Sequence, residues 1–419
     1  IGSKSGAIRT DFTLYNGAAP TGAVLATFYA TPVPPPASKA FGVGPSTTLT
    51  VADALGASQL NVGDAFGTVV FTPTVADAPN TQAMTRTYAV RSDGGTYGFT
   101  VPAQRAGSGL APGSSGALFL QTESGEASIL GIYSPTGANG TAALHGPDGS
   151  VRGTFPFFLP ANNRQETNPA FAAFGVDAEN GDYVTFDVAT GTLFPYVVLF
   201  EQTGDAAFEL PAAPASDFVF PVVGSGPGTG GTVVSELLFA NPSSSETASV
   251  TLDFFPLSTT PSASSLSIPP GRTAVVRYEN PGIGFGSIVV KSSVPIDGTA
   301  RIADRTTAGD FATTAPPVFS PSTSGRFLVS SDTRLHRTLF LFNRGTAGTV
   351  LFTFRDVHGA IGKLQLPVGD HRLLVLGNVG KLVGSAGGRL EFAGSAGTSF
   401  YGWLAATDNV TGDSDAQAA

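Results

Sequence analysis

The chain repeats itself, and this feature most constrains its fold. The stretch "TDFTLYNGAAPTGAVLATFYATP", which begins at Thr10, aligns with "SELLFANPSSSETASVTLDFFPL", which begins at Ser235. In both copies an alternating apolar run ends in an asparagine, and a polar turn leads into a second alternating run with two adjacent aromatic residues. Because alternation with a period of two is typical of half-buried β-strands, the repeated unit is predicted to be a β-structure.

A second kind of segment also occurs twice. The stretch from Ala127 aligns with the stretch from Arg337, and each places a glycine turn (Asp148-Gly149 or His358-Gly359) before a strand that ends in Leu-Pro. The chain therefore consists of two kinds of module, A and B, in the order A-B-A-B, each of roughly 100 residues. The predicted domains are residues 1–104, 105–213, 214–316 and 317–419.

The composition favours short strands joined by turns. The chain has 53 Gly and 31 Pro residues, and only 13% of its residues are charged. About seven short strands in roughly 100 residues are typical of an immunoglobulin-like β-sandwich. The predicted fold is therefore all-β, with four tandem immunoglobulin-like β-sandwich domains in two A-B pairs. Each module also has one short insert with weak helical character, which starts at Val51, Asn168, Asn280 or Leu376.

Four segments carry a resemblance to a known kind of protein. Together, "SELLFANPSSSETASVTLDFFP", "SIPPGRTAVV", "RTYAVRSDGGTYGFTVPA" and "SFYGWLAATDNVTGD" resemble a tandem A-B module of uncharacterised secreted bacterial proteins. The resemblance extends over nearly the whole chain and is weaker in the second module, where "FEQTGD" stands in place of "TDNVTGD". It implies a location outside the cytoplasm and an array of β-sandwiches, and it implies no reaction.

Charge and missing motifs exclude several classes of function. The net charge is -9 and no basic stripe is present, so nucleic acid is not an expected partner. The chain has no cysteine, hence no disulfide, thiolate metal site or cysteine nucleophile. It has no G-x-S-x-G pentapeptide either, and it is predicted not to be an enzyme. No apolar run is long enough to span a bilayer, and no signal peptide is present, so we expect the mature form of an extracellular or cell-surface protein.

One loop has the residue types of a calcium site. Calcium binds six to eight oxygen ligands, and the end of the chain offers four candidates: Asp408, Asn409, Asp413 and Asp415. The alternative is a turn in which Asp and Asn bond local backbone amides, and the copy in the second module keeps only Glu201 and Asp205. No cofactor is therefore predicted, with calcium as the only candidate. A second acidic cluster has the same two interpretations: Asp177, Glu179, Asn180 and Asp182.

The start of the first module differs from that of the third. The apolar segment Phe218–Val223 precedes the repeat in the third module and has no counterpart before Thr10. The first sandwich is therefore predicted to lack an edge strand, unless the chain has simply been trimmed. An open edge can accept a strand from a neighbouring molecule. The residues predicted to take part in such assembly are Ile1, Thr10, Phe12, Leu14, Phe218, Phe220 and Ala419.

Three functions fit these observations. The first is an extracellular structural protein, a rod-like array that self-associates head to tail into a surface fibre. The second is a cell-surface adhesin or carbohydrate-binding module that stacks surface glycans on exposed aromatic residues. Its candidates, for which a role in the core is the alternative, are Tyr97, Tyr133, Tyr183, Tyr196, Tyr278 and Trp403. The third is the accessory region of a secreted hydrolase.

Overall fold

The protein is described by a computed structural model. It covers residues 2–3, 8–17, 21–30, 36–74, 80–120, 127–177, 179–200, 206–228, 231–258, 260–306, 309–359, 361–384, 386–409 and 414–418. The all-β prediction is confirmed, because nearly all regular structure in these residues is β-strand. Three of the four predicted inserts form short helices: the 3-10 helices Ala170–Ala173 and Pro281–Ile283 and the α-helix Val379–Val383. The insert that follows Val51 forms turns instead.

The chain divides into two compact units. Unit 1 combines Ile1–Ala103 with Pro321–Ala419, so it contains both ends of the chain. Unit 2 is the continuous middle part, Gln104–Ser320. Each unit contains one A-type and one B-type module of the sequence repeat.

The first part of unit 1 is a sandwich of two antiparallel sheets, which we call the first sandwich. Its strands are β1 (Gly2–Ser3), β2 (Ile8–Asn16), β3 (Gly22–Ala30), β4 (Ala37–Val43), β5 (Thr47–Val51), β6 (Ala65–Pro73), β7 (Thr81–Val90) and β8 (Thr96–Pro102). The strand orders of the two sheets are β1-β6-β3-β4 and β5-β2-β7-β8. Phe12 and Leu14 from one sheet pack with Val24 and Phe28 from the other, so the core lies between the sheets.

The second sandwich begins unit 2. Its strands are β9 (Ala117–Phe119), β10 (Ala127–Ser134), β11 (Ala138–His145), β12 (Val151–Leu159), β13 (Asn163–Thr167), β14 (Tyr183–Gly191), β15 (Phe194–Phe200) and β16 (Ala206–Glu209). The strand orders are β12-β11-β14-β9 and β13-β10-β15-β16. Gly149, in the predicted turn between β11 and β12, has a φ of 84°, which glycine adopts without strain.

The third sandwich completes unit 2. Its strands are β17 (Ala215–Pro227), β18 (Gly231–Ala240), β19 (Ala248–Pro256), β20 (Ser262–Ile268), β21 (Thr273–Tyr278), β22 (Gly284–Thr306) and β23 (Gly309–Ala315). The long strand β22 belongs to both sheets: its first half pairs with β17 and β19, and its second half pairs with β18 and β23. The two halves of β22 therefore correspond to β6 and β7 of the first sandwich.

The fourth sandwich completes unit 1. Its strands are β24 (Ser324–Val329), β25 (Leu335–Asn343), β26 (Gly348–Asp356), β27 (Ile361–Val368), β28 (Arg372–Leu376), β29 (Gly388–Gly394), β30 (Phe400–Asp408) and β31 (Ser414–Ala418). The strand orders are β24-β29-β26-β27 and β28-β25-β30-β31. This is the pairing scheme of the other three sandwiches, so positions in different sandwiches can be compared through their register.

Candidate assembly surfaces

In unit 2 the second and third sandwiches meet along their last strands. β16 lies against β23, and Thr314 Oγ1 donates a hydrogen bond of 2.6 Å to the carbonyl oxygen of Phe208. Beside this contact, an apolar cluster joins Phe119 and Tyr183 of the second sandwich to Leu238 of the third. We call this contact the unit 2 junction, and it is largely aromatic and aliphatic.

Two buried acids lie at the unit 2 junction. Glu209, in β16, and Asp297, in β22, are 5% and 3% exposed. Burial raises the pKa of Glu209 to about 8, although Arg301 partly offsets this effect. Burial likewise raises the pKa of Asp297 to about 7, against the opposing effect of the backbone amide of Ala117. Desolvation disfavours the charged form of each acid, so the junction is most stable when both are protonated.

In unit 1 the first and fourth sandwiches meet along the corresponding strands. β31 lies against β8, and the ring of Tyr15 in the first sandwich is contacted by two guanidinium groups of the fourth. Arg326 and Arg389 lie 4.3 Å and 4.6 Å from the ring centroid, within the range of a cation–π interaction. Arg389 also donates hydrogen bonds to the carbonyl oxygen of Ser46 at 2.6 Å and to Glu391 at 2.7 Å. We call this contact the unit 1 junction.

A second polar network extends the unit 1 junction. Asp408 Oδ2 accepts two hydrogen bonds from Thr96, one from the backbone amide at 3.1 Å and one from the hydroxyl at 2.6 Å. Arg86 donates to the same hydroxyl and forms an ion pair of 3.5 Å with Asp332. Burial alone would raise the pKa of Asp332, but hydrogen bonds from Arg334 outweigh it and hold that pKa below its ordinary value.

A small cavity of about 30 Å³ lies in the unit 1 junction. Both sandwiches line it, with Asp11 and Arg86 from the first and Arg337 and Gln417 from the fourth. This volume holds about one or two water molecules and is far below that of a typical ligand pocket. The cavity therefore fits a hydrated protein–protein contact and not a small-molecule site.

The two junctions use equivalent positions of the fold. Tyr183 lies opposite His145 in β11, and Arg389 lies opposite Arg355 in β26. His145 and Arg355 each stand four residues before the glycine of the same repeated turn. Tyr183 donates to a backbone carbonyl of the adjoining A-type sandwich at 2.6 Å, as Arg389 does. One position therefore holds the adjoining sandwich in both units.

The acceptor positions are equivalent as well. Tyr183 donates to the carbonyl oxygen of Gly271, and Arg389 to that of Ser46. In the register with the paired strands β18 and β2, Gly271 and Ser46 occupy the same position ahead of β21 and β5. Both residues have left-handed backbones, with φ values of 68° and 53°. The same turn is thus held in both units, by a hydroxyl in unit 2 and by a guanidinium in unit 1.

The first sandwich also presents an incompletely covered edge. β1 pairs with β6 only at Ala65 and Phe66, and among the described residues no strand pairs with Thr68–Pro73 on that side. In the third sandwich, β17 covers the corresponding part of β22. We call Thr68–Pro73 the β6 edge.

The predicted assembly residues have several different positions. Phe12 and Leu14 are fully buried in β2, which lies between β5 and β7, and Thr10 is buried with its hydroxyl 2.9 Å from that of Thr87. They therefore build the core of the first sandwich and do not lie on an edge. Phe218 and Phe220 lie in the covering strand β17. Ile1 and Ala419 lie outside the described residues.

The calcium candidates are only partly described. Asp408 is fully buried and bonded to Thr96, and the backbone amide of Asn409 donates to the carbonyl oxygen of Arg334 at 2.9 Å. Asp413 lies outside the described residues, and only the backbone of Asp415, in β31, is described. In the part of the chain that the structure describes, no three His, Cys, Asp or Glu side chains are grouped to hold a metal ion. Calcium binding thus stays a prediction.

The second acidic cluster is organised by an arginine. Arg152 forms ion pairs with Asp182 at 2.5 Å and with Glu179 at 3.0 Å. Asp182 also accepts a hydrogen bond from the backbone amide of Glu179. A cation already occupies the position that a metal ion would need, which favours the interpretation as a local turn.

The aromatic candidates for glycan stacking divide into two groups. Trp403 and Tyr183 are 2% exposed, and Tyr133 is 9% exposed. The ring of Trp403 packs with its centroid 6.3 Å from that of Phe340, on the strand face opposite to the core residues Phe400 and Leu404, and it is buried there. Tyr97, Tyr196 and Tyr278 are half-buried. The first three residues are buried, so an exposed flat sugar-binding platform does not include them.

Sequence reasoning did not identify the junction residues. Tyr15, Arg389, Glu209 and Asp297 occur in no known motif. The available signal was a charged residue within a mostly apolar strand segment, such as Arg389 in "GGRLEFAG" and Glu209 in "AAFELP". Such residues are rarely buried unless they are paired, so they mark contacts with another part of the protein.

Comparisons with known proteins give no family for this chain. No family model matches it, and no curated protein matches it. The solved structures that resemble it include one described as Thermotoga maritima 1070, with 21% identity over 25% of this chain and 95% of that chain and a TM-score of 0.23. Another is a tetra-tandem repeat in the extending region of a large adhesion protein, with 9% identity over 100% of this chain and 99% of that chain and a TM-score of 0.11. At these TM-scores neither structure informs function.

None of the helices in the described part of the chain is both long and apolar enough to cross a membrane.

Proposed function

We propose that this protein is an extracellular structural protein, built from four immunoglobulin-like sandwich modules in two A-B pairs, that assembles head to tail into a fibre. The observation that carries the proposal is the equivalence of the two junctions. In unit 2 the junction joins sandwiches that follow each other directly along the chain. In unit 1 the same junction joins the first and last sandwiches, which are connected to each other only through unit 2.

The unit 1 junction therefore needs no direct covalent link between its halves. A fourth sandwich of one molecule can pair with the first sandwich of the next, in the way that domain swapping exchanges identical contacts between copies. Such a contact is heterologous, because two different surfaces meet, and heterologous contacts that do not close generate filaments. The closed pairing within one chain is the competing state, favoured at low protein concentration.

Composition and resemblance support the location outside the cytoplasm. The proportion of charged residues is low, and the resemblance is to secreted bacterial proteins. The adhesin hypothesis has less support, since two of its candidate residues for glycan stacking, Trp403 and Tyr183, are buried.

The test is an exchange experiment between labelled copies. The chain has no cysteine, so Ala57→Cys in the first sandwich and Lys381→Cys in the fourth, both exposed positions, allow specific labelling. Donor-labelled and acceptor-labelled copies are mixed, and energy transfer is followed as the total concentration rises. Transfer that grows with concentration, together with a rising mass in light scattering, is expected.

A matched pair of variants shows which of the two junctions mediates the contact between copies. Arg389→Ala should reduce the energy transfer, because Arg389 holds Tyr15 and Ser46 in the unit 1 junction. Tyr183→Phe, at the equivalent position of unit 2, should leave it unchanged. A chain that stays monomeric, with no transfer at any concentration reached, would overturn the proposal.

A further inference from the structure

We propose that the unit 2 junction is a pH-dependent switch. It holds the second and third sandwiches together while Glu209 and Asp297 carry protons, and it releases them as folded sandwiches when both acids ionise. This contact lies within one chain, so the switch does not depend on the assembly of copies into a fibre.

The unit 1 junction has an amide where unit 2 has Glu209. Leu193 in the second sandwich and Phe400 in the fourth each form an isolated bridge with a residue shortly before the first strand of their own sandwich, so they are equivalent. The residue four positions after Leu193 pairs with Glu209, and the residue four positions after Phe400 pairs with Gln417. Glu209 therefore corresponds to Gln417, which lines the cavity of the unit 1 junction.

The second acid also corresponds to an amide. Asn16 and Asn241 end the same repeated run, and the residue before Asn16 pairs with Gln82, whereas the residue before Asn241 pairs with Asp297. A protonated carboxyl group and a side-chain amide are both neutral groups that donate and accept hydrogen bonds. Unit 1 therefore has permanently the kind of group that unit 2 has only while its acids are protonated.

The surroundings of Glu209 favour its neutral form. Burial has the largest effect and raises the pKa of Glu209 to about 8. Arg301, the backbone amide of Phe119 and the hydroxyl of Thr299 act in the opposite direction. Arg301 also lies opposite Glu236 of the neighbouring strand β18. Glu209 is therefore mostly protonated at pH 7 while the junction is closed.

The surroundings of Asp297 contain less positive charge. No arginine or lysine in the described part of the chain forms an ion pair with Asp297, and burial raises its pKa to about 7 against the effect of the Ala117 amide. Burial and the nearby Asp297 raise the pKa of Tyr183 to about 12. His145 stacks on Tyr183 at 4.8 Å, and burial lowers its pKa. Both rings are therefore neutral near pH 8, where the two acids change charge.

The two sandwiches can separate without unfolding, because each has its own core. The junction cluster includes Leu238 and Ala240 of the third sandwich and is distinct from the core cluster of the second. Successive residues of a strand face opposite sides, so the buried ring of Phe239 lies on the other side of β18, away from the junction. Separation therefore hydrates the two acids and leaves both cores intact.

The direction of the pH dependence follows from the two states. In the closed junction the pKa values of Glu209 and Asp297 are about 8 and about 7, and in water the acids return to their ordinary values of 4.5 and 3.8. The closed junction therefore binds more protons than the open one, and opening becomes more favourable as the pH rises from about 4 to about 8. Between pH 5 and pH 9 the open fraction should increase at least about 1000-fold.

The experiment measures opening through one introduced thiol in the full chain, which has no cysteine of its own. Ala240→Cys places the thiol in the junction, and the matched control Ala248→Cys places it in the core of the same sandwich. Both alanines are fully buried. A disulfide reagent modifies the thiol only when it is exposed, and each rate is divided by that of the same variant unfolded in urea at the same pH.

The corrected rate for Ala240→Cys should rise at least about 1000-fold between pH 5 and pH 9. At pH 9 it should exceed that of Ala248→Cys at least about 10-fold, because local opening does not expose the core. Glu209→Gln together with Asp297→Asn should remove the rise.

The reverse exchange tests the same two positions in unit 1. Gln417→Glu together with Gln82→Asp gives that junction the acids of unit 2. Met84→Cys provides the reporter thiol, since Met84 is buried beside Tyr15 in the unit 1 junction. With the two acids, its corrected rate should rise between pH 7 and pH 9, and with the two glutamines it should not.

Three results would overturn the switch. Equal corrected rates for Ala240→Cys and Ala248→Cys would mean that the junction opens only when the third sandwich unfolds. A pH profile that survives in the double variant of unit 2 would remove Glu209 and Asp297 as its cause. A unit 1 that carries both acids, keeps its far-ultraviolet circular dichroism and shows no pH dependence would mean that these positions do not sense protons.

Discussion

The two junctions have the same geometry and different chemistry. In unit 2, Tyr183 and Phe119 pack against aliphatic side chains beside two buried acids. In unit 1, the corresponding contact is a tyrosine between two arginines, with further ion pairs around it. One backbone arrangement therefore accepts either an apolar or a strongly polar contact.

The difference follows from how each junction is formed. The sandwiches of unit 2 follow each other along the chain, so the local concentration of each partner is high and little discrimination is needed. The sandwiches of unit 1 are separated by the whole of unit 2 and must find the correct partner surface. Charged groups that need specific partners penalise wrong pairings, which is how polar contacts provide specificity.

The largest expected effect is a pH dependence of the stability of unit 2. Glu209 and Asp297 have folded-state pKa values of about 8 and about 7, above their ordinary values of 4.5 and 3.8. The folded state therefore binds more protons than the unfolded state between these values. The stability that protonation provides is complete below about pH 4 and is lost progressively as the pH rises from about 4 to the folded-state pKa values of about 7 and about 8, by on the order of 4 kcal/mol in total for each acid.

Hydrogen exchange of β16 and β22 across this pH range measures the effect. The double variant Glu209→Gln and Asp297→Asn should remove the pH dependence, whereas Glu246→Gln, at an exposed site, should keep it. An unchanged pH profile in the double variant would show that the two acids are solvated.

The next largest expected effect is a loss of stability of unit 1. Arg389→Ala removes a buried cation that contacts Tyr15, Ser46 and Glu391, and it should destabilise unit 1 by about 3 to 5 kcal/mol. The only tryptophan of the chain, Trp403, is buried in the fourth sandwich, so its fluorescence during urea unfolding reports on unit 1.

Arg355→Ala is the matched control for this prediction. Arg355 pairs with the same Glu391 at 3.1 Å but is 28% exposed, so its loss should cost less than about 1 kcal/mol. Equal effects of the two substitutions would mean that Arg389 stabilises unit 1 only through its ion pair with Glu391, and not through its contacts in the junction.

The positions of the strands could be predicted from the sequence. The alternation of apolar residues from Thr10 and from Ser235 predicts strands that the structure confirms, because period-two patterns depend only on local geometry. The glycine turn at Gly149 was equally predictable, since it needs a left-handed backbone.

The junctions could not be predicted in this way. Which sandwich packs on which depends on surfaces far apart in sequence, as in the contact between Thr96 and Asp408. The sequence places Asp408 in a loop with calcium-ligand composition, but its carboxylate is bonded across the unit 1 junction. A local sequence pattern does not reveal a hydrogen-bond partner that is distant along the chain. For this reason Asp408, which is a junction residue, had the sequence context of a metal ligand.

Asp408 gives the next prediction. Asp408→Ala should destabilise unit 1 by about 2 to 3 kcal/mol, because the buried amide and hydroxyl of Thr96 lose a charged acceptor. Asn409→Ala, at the adjacent exposed position, should change the Trp403 transition little.

Calcium removal separates the two interpretations of this loop. An ion that binds only the folded protein must raise its stability, so a chelator would lower the unfolding midpoint if calcium were bound. We expect an unchanged midpoint with chelator in both the wild type and Asp408→Ala. A decrease in the wild type that Asp408→Ala abolishes would instead make Asp408 a calcium ligand.

The smallest expected effect is a loss of stability in unit 2, and it tests whether the two junctions are equivalent. Tyr183→Phe removes only the hydroxyl that donates to Gly271, and leaving that carbonyl oxygen without its donor should cost unit 2 about 1 to 2 kcal/mol. The apolar part of the junction stays in place, because the phenyl ring keeps the packing against Phe119 and Leu238. Hydrogen exchange should therefore accelerate around Gly271, while the Trp403 transition of unit 1 keeps its midpoint. A loss as large as that of Arg389→Ala would mean that unit 2 also depends on its polar contact, and the contrast between the two junctions would no longer hold.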